Sequence, residues 1–336
     1  MKEKEMKKLL KDLDKGKHKC LKPDDKFQFK CTACGKCCFN QNIVLSIYDV
    51  IRLRTSLQIS TKEIFKKNFV NLQIGYSSGL PILTINFKQF SENFTACPFL
   101  VPAVRVKDAF KRLVGEAKTR EEREKLLDEY KENPKKLQKD LKGAKIDRWL
   151  CSVHKNRPMI CRLYPLGRIK VMDKNGKFVE EKMILQEKED WCPGWKQKHE
   201  YTLKSFLDEC EFWHYKEGSD KSHAVLENLI TKGFVALTKD NKKAKIKPLF
   251  KENSKVLMFI ANLLYNFDSF NYFSRDKKVV ETIYNANSTH KDFMYVLNKV
   301  DRLVNFFINS FTKEFVNEDL TDQILNNFIK GGGEIN

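Results

Sequence analysis

The chain has 336 residues, which is enough for one large domain or for two ordinary domains that each have a core. Hydrophobic residues make up 41% of it and charged residues 32%, which excludes a disordered chain and a small scaffold that depends on cross-links. The formal charge is +19, but lysines outnumber arginines 51 to 12. Because phosphate and groove recognition favour arginine, nucleic-acid binding is a weak hypothesis.

The first 30 residues are charged throughout and predict a basic N-terminal extension. They contain no apolar segment like that of a secretory signal, and the most apolar run of the chain, 256–267, is too short to span a bilayer. We therefore expect a cytoplasmic protein that does not enter the membrane. Thiols stay reduced in that compartment, so clustered cysteines favour metal binding or redox chemistry over disulfides.

The stretch CTACGKCCFN, which begins at residue 31, places four cysteines in eight positions. Cys31, Cys34 and Cys37 have the spacing C-x2-C-x2-C, in which short turns aim sulfurs at one ion, and iron–sulfur ferredoxins use the same spacing. Cys38 follows Cys37 directly, and adjacent side chains tend to point in different directions. We therefore expect one of these two to face a second metal ion, or the site to be polynuclear.

Two helices and a strand are predicted after the cluster. The pairs Ser46 with Asp49 and Ser60 with Glu63 are capping-box patterns, each of which opens a helix. Residues 80–87 have the composition of a strand.

The later segments alternate between charged, extended and helical patterns. Residues 105–148 carry acidic and basic side chains in alternation at helical spacing, which predicts solvated helices inserted into the domain. Residues 168–186 predict a hairpin that turns at Asn175 and Gly176. From about residue 200 onward the pattern is helical and poor in cysteine.

Four further cysteines lie far from the cluster along the chain: Cys97, Cys151, Cys161 and Cys192. With the four local ones they make eight candidate ligands, which fits two tetrathiolate sites, one cluster plus one mononuclear site, or a binuclear centre that shares sulfur. Arg157 and Arg162 are candidates for donating to the thiolates or offsetting their charge, and surface ion pairs are the alternative. Cys20 and Cys210 are predicted to be free, although Cys210 and His214 lie four residues apart on a predicted helix.

The order of these motifs resembles the CxxCxxCC, or YkgJ-like, family: CTACGKCC, then CPFL at 97–100, CSVHKNRPMICRLYP from residue 151, and CPG at 192–194. The resemblance covers about residues 27–200 and implies a zinc- or iron-chelating domain. The ligands that it implies are Cys31, Cys34, Cys37, Cys38, Cys97, Cys151, Cys161 and Cys192, with Arg157 and Arg162 in the accompanying motif. The flagellin lysine N-methylases are relatives of this family, so methyl transfer to a protein lysine is an alternative. The 53 residues between Cys97 and Cys151 exceed the usual spacing, which again indicates an insertion.

We therefore predict an α+β protein with three parts: an extension at 1–30, a metal-binding domain at 31–200 that includes the helical insertion 105–148, and a helical C-terminal domain at 201–336. The predicted cofactor is zinc or iron, with an iron–sulfur cluster as one form, because both metals accept tetrathiolate sites. The sequence has no Gly-x-Gly-x-x-Gly loop for a methyl donor, which counts against methyl transfer. Whether the protein is an enzyme is left open. An electron-transfer role, a protein partner and a protein substrate are left open as well.

Overall fold

The computed structural model describes residues 19–74, 80–92, 94–104, 146–172, 178–229, 254–268 and 276–314, together with six positions between 119 and 129. The strands in these ranges are β1 (Lys19–Leu21), β2 (Lys26–Gln28), β3 (Val44–Leu45), β4 (Val70–Ile74), β5 (Pro81–Ile85), β6 (Lys88–Ser91), β7 (Phe94–Ala96), β8 (Leu100–Val104), β9 (Ile146–Cys151), β10 (Leu166–Met172), β11 (Phe178–Leu185) and β12 (Glu200–Thr202). The helices are α1 (Ile47–Leu57), α2 (Thr61–Lys66), α3 (Met159–Leu163), α4 (Leu203–Glu209), α5 (Phe212–Asn228), α6 (Ser254–Tyr265), α7 (Lys277–Ile283) and α8 (His290–Glu314). Short 3₁₀ turns lie at Lys36–Cys38, His154–Asn156 and Pro193–Lys196. The predicted α+β class is confirmed, as is the helical C-terminal region.

The strands form small antiparallel sheets in the described part of the chain. Their orders are β1-β11-β10, β12-β2, β3-β5-β4, β6-β7 and β8-β9. Residues 19–28, which the sequence assigned to a basic extension, thus contribute two strands that pair with partners more than 150 residues away. Residues 1–18 of that extension lie outside the described residues.

Local sequence signals place several elements correctly. The Ser46–Asp49 and Ser60–Glu63 capping boxes are both present, at the starts of α1 and α2. β10 and β11 pair as the predicted hairpin requires, although its turn at 173–177 lies outside the described residues. The apolar run 256–267 falls largely in α6. Of the predicted insertion 105–148, the structure describes residues 146–148, which belong to β9, and the six positions between 119 and 129, five of which are helical.

Most of the described helices enclose one core, which we call the helical core. Helix α8 packs on α1 and α5, and α6 packs on α8 and on β5. Its members include Tyr48, Ile51, Leu83, Tyr265 and Val300, all at most 1% exposed. Burial of these side chains is the main favourable contribution to stability. None of the helices in the described ranges has the length and apolar character that crossing a membrane requires.

A second core, the aromatic core, lies between β2, β12, α4 and the segments around α3 and residue 195. Its main side chains are Phe27, Phe29, Trp195, Phe206 and Phe212. Phe29 meets the rings of Trp195 and Phe206 edge to face, at centroid distances of 5.2 and 6.4 Å, a favourable aromatic geometry. Both cores therefore combine residues from before and after residue 200.

Candidate metal centre

The N-terminal cysteine cluster is wound into a tight loop. Ala33 and Gly35 both have left-handed backbone conformations, with φ of 51° and 72°, and the 3₁₀ turn Lys36–Cys38 follows. Glycine adopts this conformation freely, whereas alanine does so only where the surrounding structure imposes it. The amide of Ala33 donates to Cys31 Sγ at 3.4 Å, the type of bond that stabilises a metal-bound thiolate.

Backbone pairing brings two remote cysteines to the end of this loop. The amide of Cys97 donates to the carbonyl of Cys38 at 2.9 Å. Further along the same segment, β8 pairs with β9 so that Leu100 lies opposite Cys151, and the amide of Ser152 donates to Phe99 at 2.8 Å. Cys38, Cys97 and Cys151 therefore come from three segments that touch one another.

Cys161 reaches the same place on the short helix α3, which a buried carboxylate anchors. The amide of Met159, the first residue of α3, donates to Asp49 Oδ1 at 3.0 Å. Asp49 is also the capping-box residue of α1, and burial raises its pKa. One carboxylate thus joins the start of α1 to the start of the helix that carries Cys161.

Cys192 reaches the cavity from the segment that follows β11. The amide of Lys30 donates to the carbonyl of Gly194 at 3.1 Å, which fixes the Cys31 segment against the Cys192 segment. A Cβ at Gly194 would lie 2.6 Å from Phe29 Cε2, so only glycine permits this approach. The glycine of the CPG motif therefore places a sulfur rather than forming a turn with positive φ.

All eight predicted ligands line a single cavity of about 150 Å³, and a ninth cysteine, Cys210, lines it too. The nine are Cys31, Cys34, Cys37, Cys38, Cys97, Cys151, Cys161, Cys192 and Cys210. Among the described residues, no three cysteine, histidine or carboxylate side chains already stand in an arrangement that would hold a metal ion. The chain thus gathers the thiols around one space without directing them at one point.

The thiols differ in how readily they ionise. A hydrogen bond with Cys38 lowers the pKa of Cys37 to about 7 against the effect of burial, and the Arg157 guanidinium acts in the same direction. The same hydrogen bond, together with burial, raises the pKa of Cys38, while burial raises the pKa of Cys97 to about 12 and also raises that of Cys161. This hydrogen bond pairs the adjacent thiols of Cys37 and Cys38 with each other, and their assignment to separate metal ions stays a prediction.

The two predicted cofactor-binding arginines both line the cavity and have different neighbours. Arg157 contacts His154, and partial burial of the ring together with the charge of Arg157 lowers the pKa of His154. Arg162 forms an ion pair with Glu211 at 3.1 Å and stacks over the Tyr215 ring at 4.8 Å. The Nε atoms of both arginines are buried without a hydrogen-bond partner in the described part of the protein. Each therefore keeps an unused donor beside the thiols.

Sequence reasoning missed two residues that line the cavity, Cys210 and Tyr164. Cys210 was expected to be an ordinary free thiol, and Cys20, treated in the same way, is exposed in β1 and does not line the cavity. The Tyr164 hydroxyl lies within hydrogen-bond reach of the Cys192 thiol and of the Trp195 N–H. Burial raises the pKa of Tyr164. The tyrosine stands in the RLYP sequence of the motif, which was the available signal, whereas Cys210 belongs to no motif.

Comparison with known proteins gives one match. The family model CxxCxxCC, described as "Putative zinc- or iron-chelating domain", matches residues 30–193. No curated protein matched the chain, and no solved structure did. The match bears on the CxxCxxCC domain alone, so a relation to YkgJ and to the flagellin methylases stays a prediction from the motifs. Residues 30–193, which carry eight of the nine cavity cysteines, are therefore similar to the CxxCxxCC domain.

Proposed function

We propose that the chain binds zinc or iron through thiolates of this cavity. The observation that carries the proposal is the convergence of eight predicted ligands, from five separate parts of the chain, on one space of about 150 Å³. Thiolates are soft donors that suit zinc, iron and iron–sulfur clusters, whereas magnesium and calcium prefer oxygen. Binding requires the side chains to rotate inward and to lose their protons to solvent.

The backbone contacts support two metal positions. Cys38, Cys97, Cys151 and Cys161 form one group, the Cys38 set, and the last three of these pack against the helical core. We assign Cys31, Cys34 and Cys192 to a second group, the Cys31 end, in which Cys192 belongs to the aromatic core. Cys37 lies between them, near enough to act electrostatically on Cys31 and on Cys161.

Arg157 lies where its positive charge would offset part of the negative charge of such a metal centre. Four thiolates around one divalent ion carry a net charge of −2, which is costly in a partly buried site unless cations or hydrogen-bond donors stand near. Burial raises the pKa of Cys31 and of Cys151, and the positive charge of Arg157 opposes that rise. At Cys37 the same charge adds to the effect of the Cys38 hydrogen bond, which lowers the pKa. The buried, unused Nε–H of Arg157 is available to donate to a thiolate.

The two metals would supply different chemistry. Zinc would give a redox-silent cross-link between the two cores, whereas iron would give a centre that takes up and releases an electron. Methyl transfer is left out of this proposal, because no contact among the described residues marks a pocket for a methyl donor.

The test is the metal content of the full chain purified without oxygen, measured by elemental analysis and compared with its visible absorption. We expect two equivalents of zinc without visible bands, or iron with visible bands that bleach on reduction. C38S and C97S should each lower the metal content, and C20S, at the exposed cysteine outside the cavity, should not. A chain that contains no zinc or iron and takes up neither on reconstitution would refute the proposal.

A further inference from the structure

We propose that Cys210, in the turn between α4 and α5, is a metal ligand that completes the Cys31 end of the cavity. This inference rests on the proposed function and goes beyond it, because residue 210 lies outside the matched segment 30–193. With Cys210 the Cys31 end has four sulfurs, Cys31, Cys34, Cys192 and Cys210, and the Cys38 set has four others. Closed sites for zinc and for iron–sulfur clusters commonly use four protein ligands.

The location of Cys210 supports this role. The side chain is 8% exposed and belongs to the aromatic core, as Cys192 does. It lines the cavity and lies near enough to Cys31 for the two thiols to interact electrostatically. Its thiol donates to the carbonyl of Arg162 at 3.3 Å, and metal binding would replace this bond.

An unusual backbone conformation holds Cys210 in this position. Glu211, the next residue, has φ of 54° and ψ of 32°, a left-handed conformation that separates α4 from α5. Non-glycine residues adopt it rarely and keep it only where neighbouring contacts impose it. Here the contacts are ion pairs of the Glu211 carboxylate with Arg162 at 3.1 Å and with the buried Arg52 at 3.8 Å. Arg162 also donates to the carbonyl of Cys210 at 3.3 Å.

These ion pairs join two residues of the matched segment to one that lies beyond it. Arg162 comes from the cysteine motif, Arg52 from α1, and Glu211 from the turn that precedes α5. Arg52 in turn stacks over the Tyr215 ring at 4.3 Å and donates to Asn156 at 2.9 Å. The arrangement fixes the backbone at residue 210 against the motif, which a packed core thiol would not need. Cys37 is the competing fourth ligand for the Cys31 end, and the experiment must separate the two.

The experiment compares C210S and C37S with C20S in the full chain, after loading with zinc and, in parallel, with cobalt as a spectroscopic substitute. Metal release to a chromogenic chelator gives the rate for each ion, and the sulfur-to-cobalt charge-transfer band reports the number of bound thiolates. If Cys210 is a ligand, C210S releases one of the two ions at least about tenfold faster and loses charge-transfer intensity, and C20S behaves as the unmutated chain does. If C210S keeps both rates and the full band while C37S loses them, Cys37 is the fourth ligand and the inference is wrong.

A second measurement does not depend on how the variants fold. The unmutated chain is alkylated at increasing zinc, and the labelled fraction of each cysteine is read by mass spectrometry. Protection of Cys210 should rise with added zinc in parallel with that of Cys31 and Cys192. A Cys210 whose labelling does not change with zinc, in a chain that binds zinc, contradicts the inference alone. A chain that binds no zinc, iron or cobalt contradicts the proposed function as well.

Discussion

The buried carboxylate of Asp49 allows a sharp test of how the cavity is supported, because the chain contains a natural control for it. Asp49 accepts hydrogen bonds from the Ser46 amide at 3.0 Å, the Ser46 hydroxyl at 2.7 Å and the Met159 amide at 3.0 Å. Glu63 makes the same two capping bonds with Ser60, at 2.8 and 2.9 Å. Glu63 is exposed, however, and among the described residues it accepts no hydrogen bond from the start of a second helix. D49A and E63A therefore remove equivalent caps, and only D49A also releases α3.

The expected magnitude for D49A follows from these contacts. Loss of a helix cap costs about 1 kcal/mol, and leaving the Met159 amide without a partner costs about 1–2 kcal/mol more. We expect D49A to lower the free energy of unfolding by about 2–3 kcal/mol in total. E63A should lower it by less, because water replaces the lost partner at that exposed cap.

Urea unfolding followed by far-ultraviolet circular dichroism, together with metal content, checks both parts of the reasoning. D49A should also retain metal less well than E63A, since α3 carries Cys161. Equal unfolding midpoints for the two variants would refute the energetic argument. A large loss of stability in D49A with an unchanged rate of metal release would show that α3 does not depend on Asp49 for its position.

Three further outcomes are expected. G194A should lower the free energy of unfolding by about 1–3 kcal/mol and speed metal release, because the added Cβ would lie 2.6 Å from Phe29 Cε2. G167A is the control and should change neither quantity, because its added Cβ would meet no atom closer than 3.9 Å. Burial alone would raise the pKa of Asp220, but hydrogen bonds from three basic side chains outweigh it and hold that pKa well below its usual range. The stability that the Asp220 carboxylate adds is therefore complete above its unfolded pKa of about 3.9 and is lost as pH falls through the lower folded pKa. In urea titrations, the free energy of unfolding of D220N should be lower than that of the unmutated chain by about 1 kcal/mol at pH 7. The two values should converge in acid. A strong chelator should lower the melting temperature of the loaded chain, since a ligand that binds the folded state stabilises it, and an unchanged melting temperature after complete metal removal would contradict a structural role for the ion.

The elements of the fold that could be predicted are those determined by residues close together in the sequence. The two capping boxes involve residues three positions apart, and the hairpin and the apolar helix α6 follow from local composition and periodicity. The strands β1 and β2 were not predicted, because three residues are too few to show a period. Their existence depends on pairing with β11 and β12, which no local pattern encodes.

The same limit applies to the site. Clustering and motif order were enough to nominate eight cysteines, and all eight line the cavity. Cys210 has no cysteine neighbour in sequence, and only the packing of the α4–α5 turn against the motif brings it there. The second bond of Asp49, to Met159, was likewise not predictable, since a capping box describes what a carboxylate does for its own helix.

The position of the cavity argues that a bound metal would do more than add stability. Each of the two cores buries enough apolar side chains that the chain does not need a metal merely to fold, unlike small zinc domains. The thiols stand where the cores meet: Cys97, Cys151 and Cys161 against the helical core, Cys192 and Cys210 within the aromatic core. An ion or cluster bound there by sulfurs from both sides would fix one core relative to the other. Losing it would alter the junction first, so metal removal should loosen the 31–38 loop and the α4–α5 turn before it unfolds α1, α5 and α8.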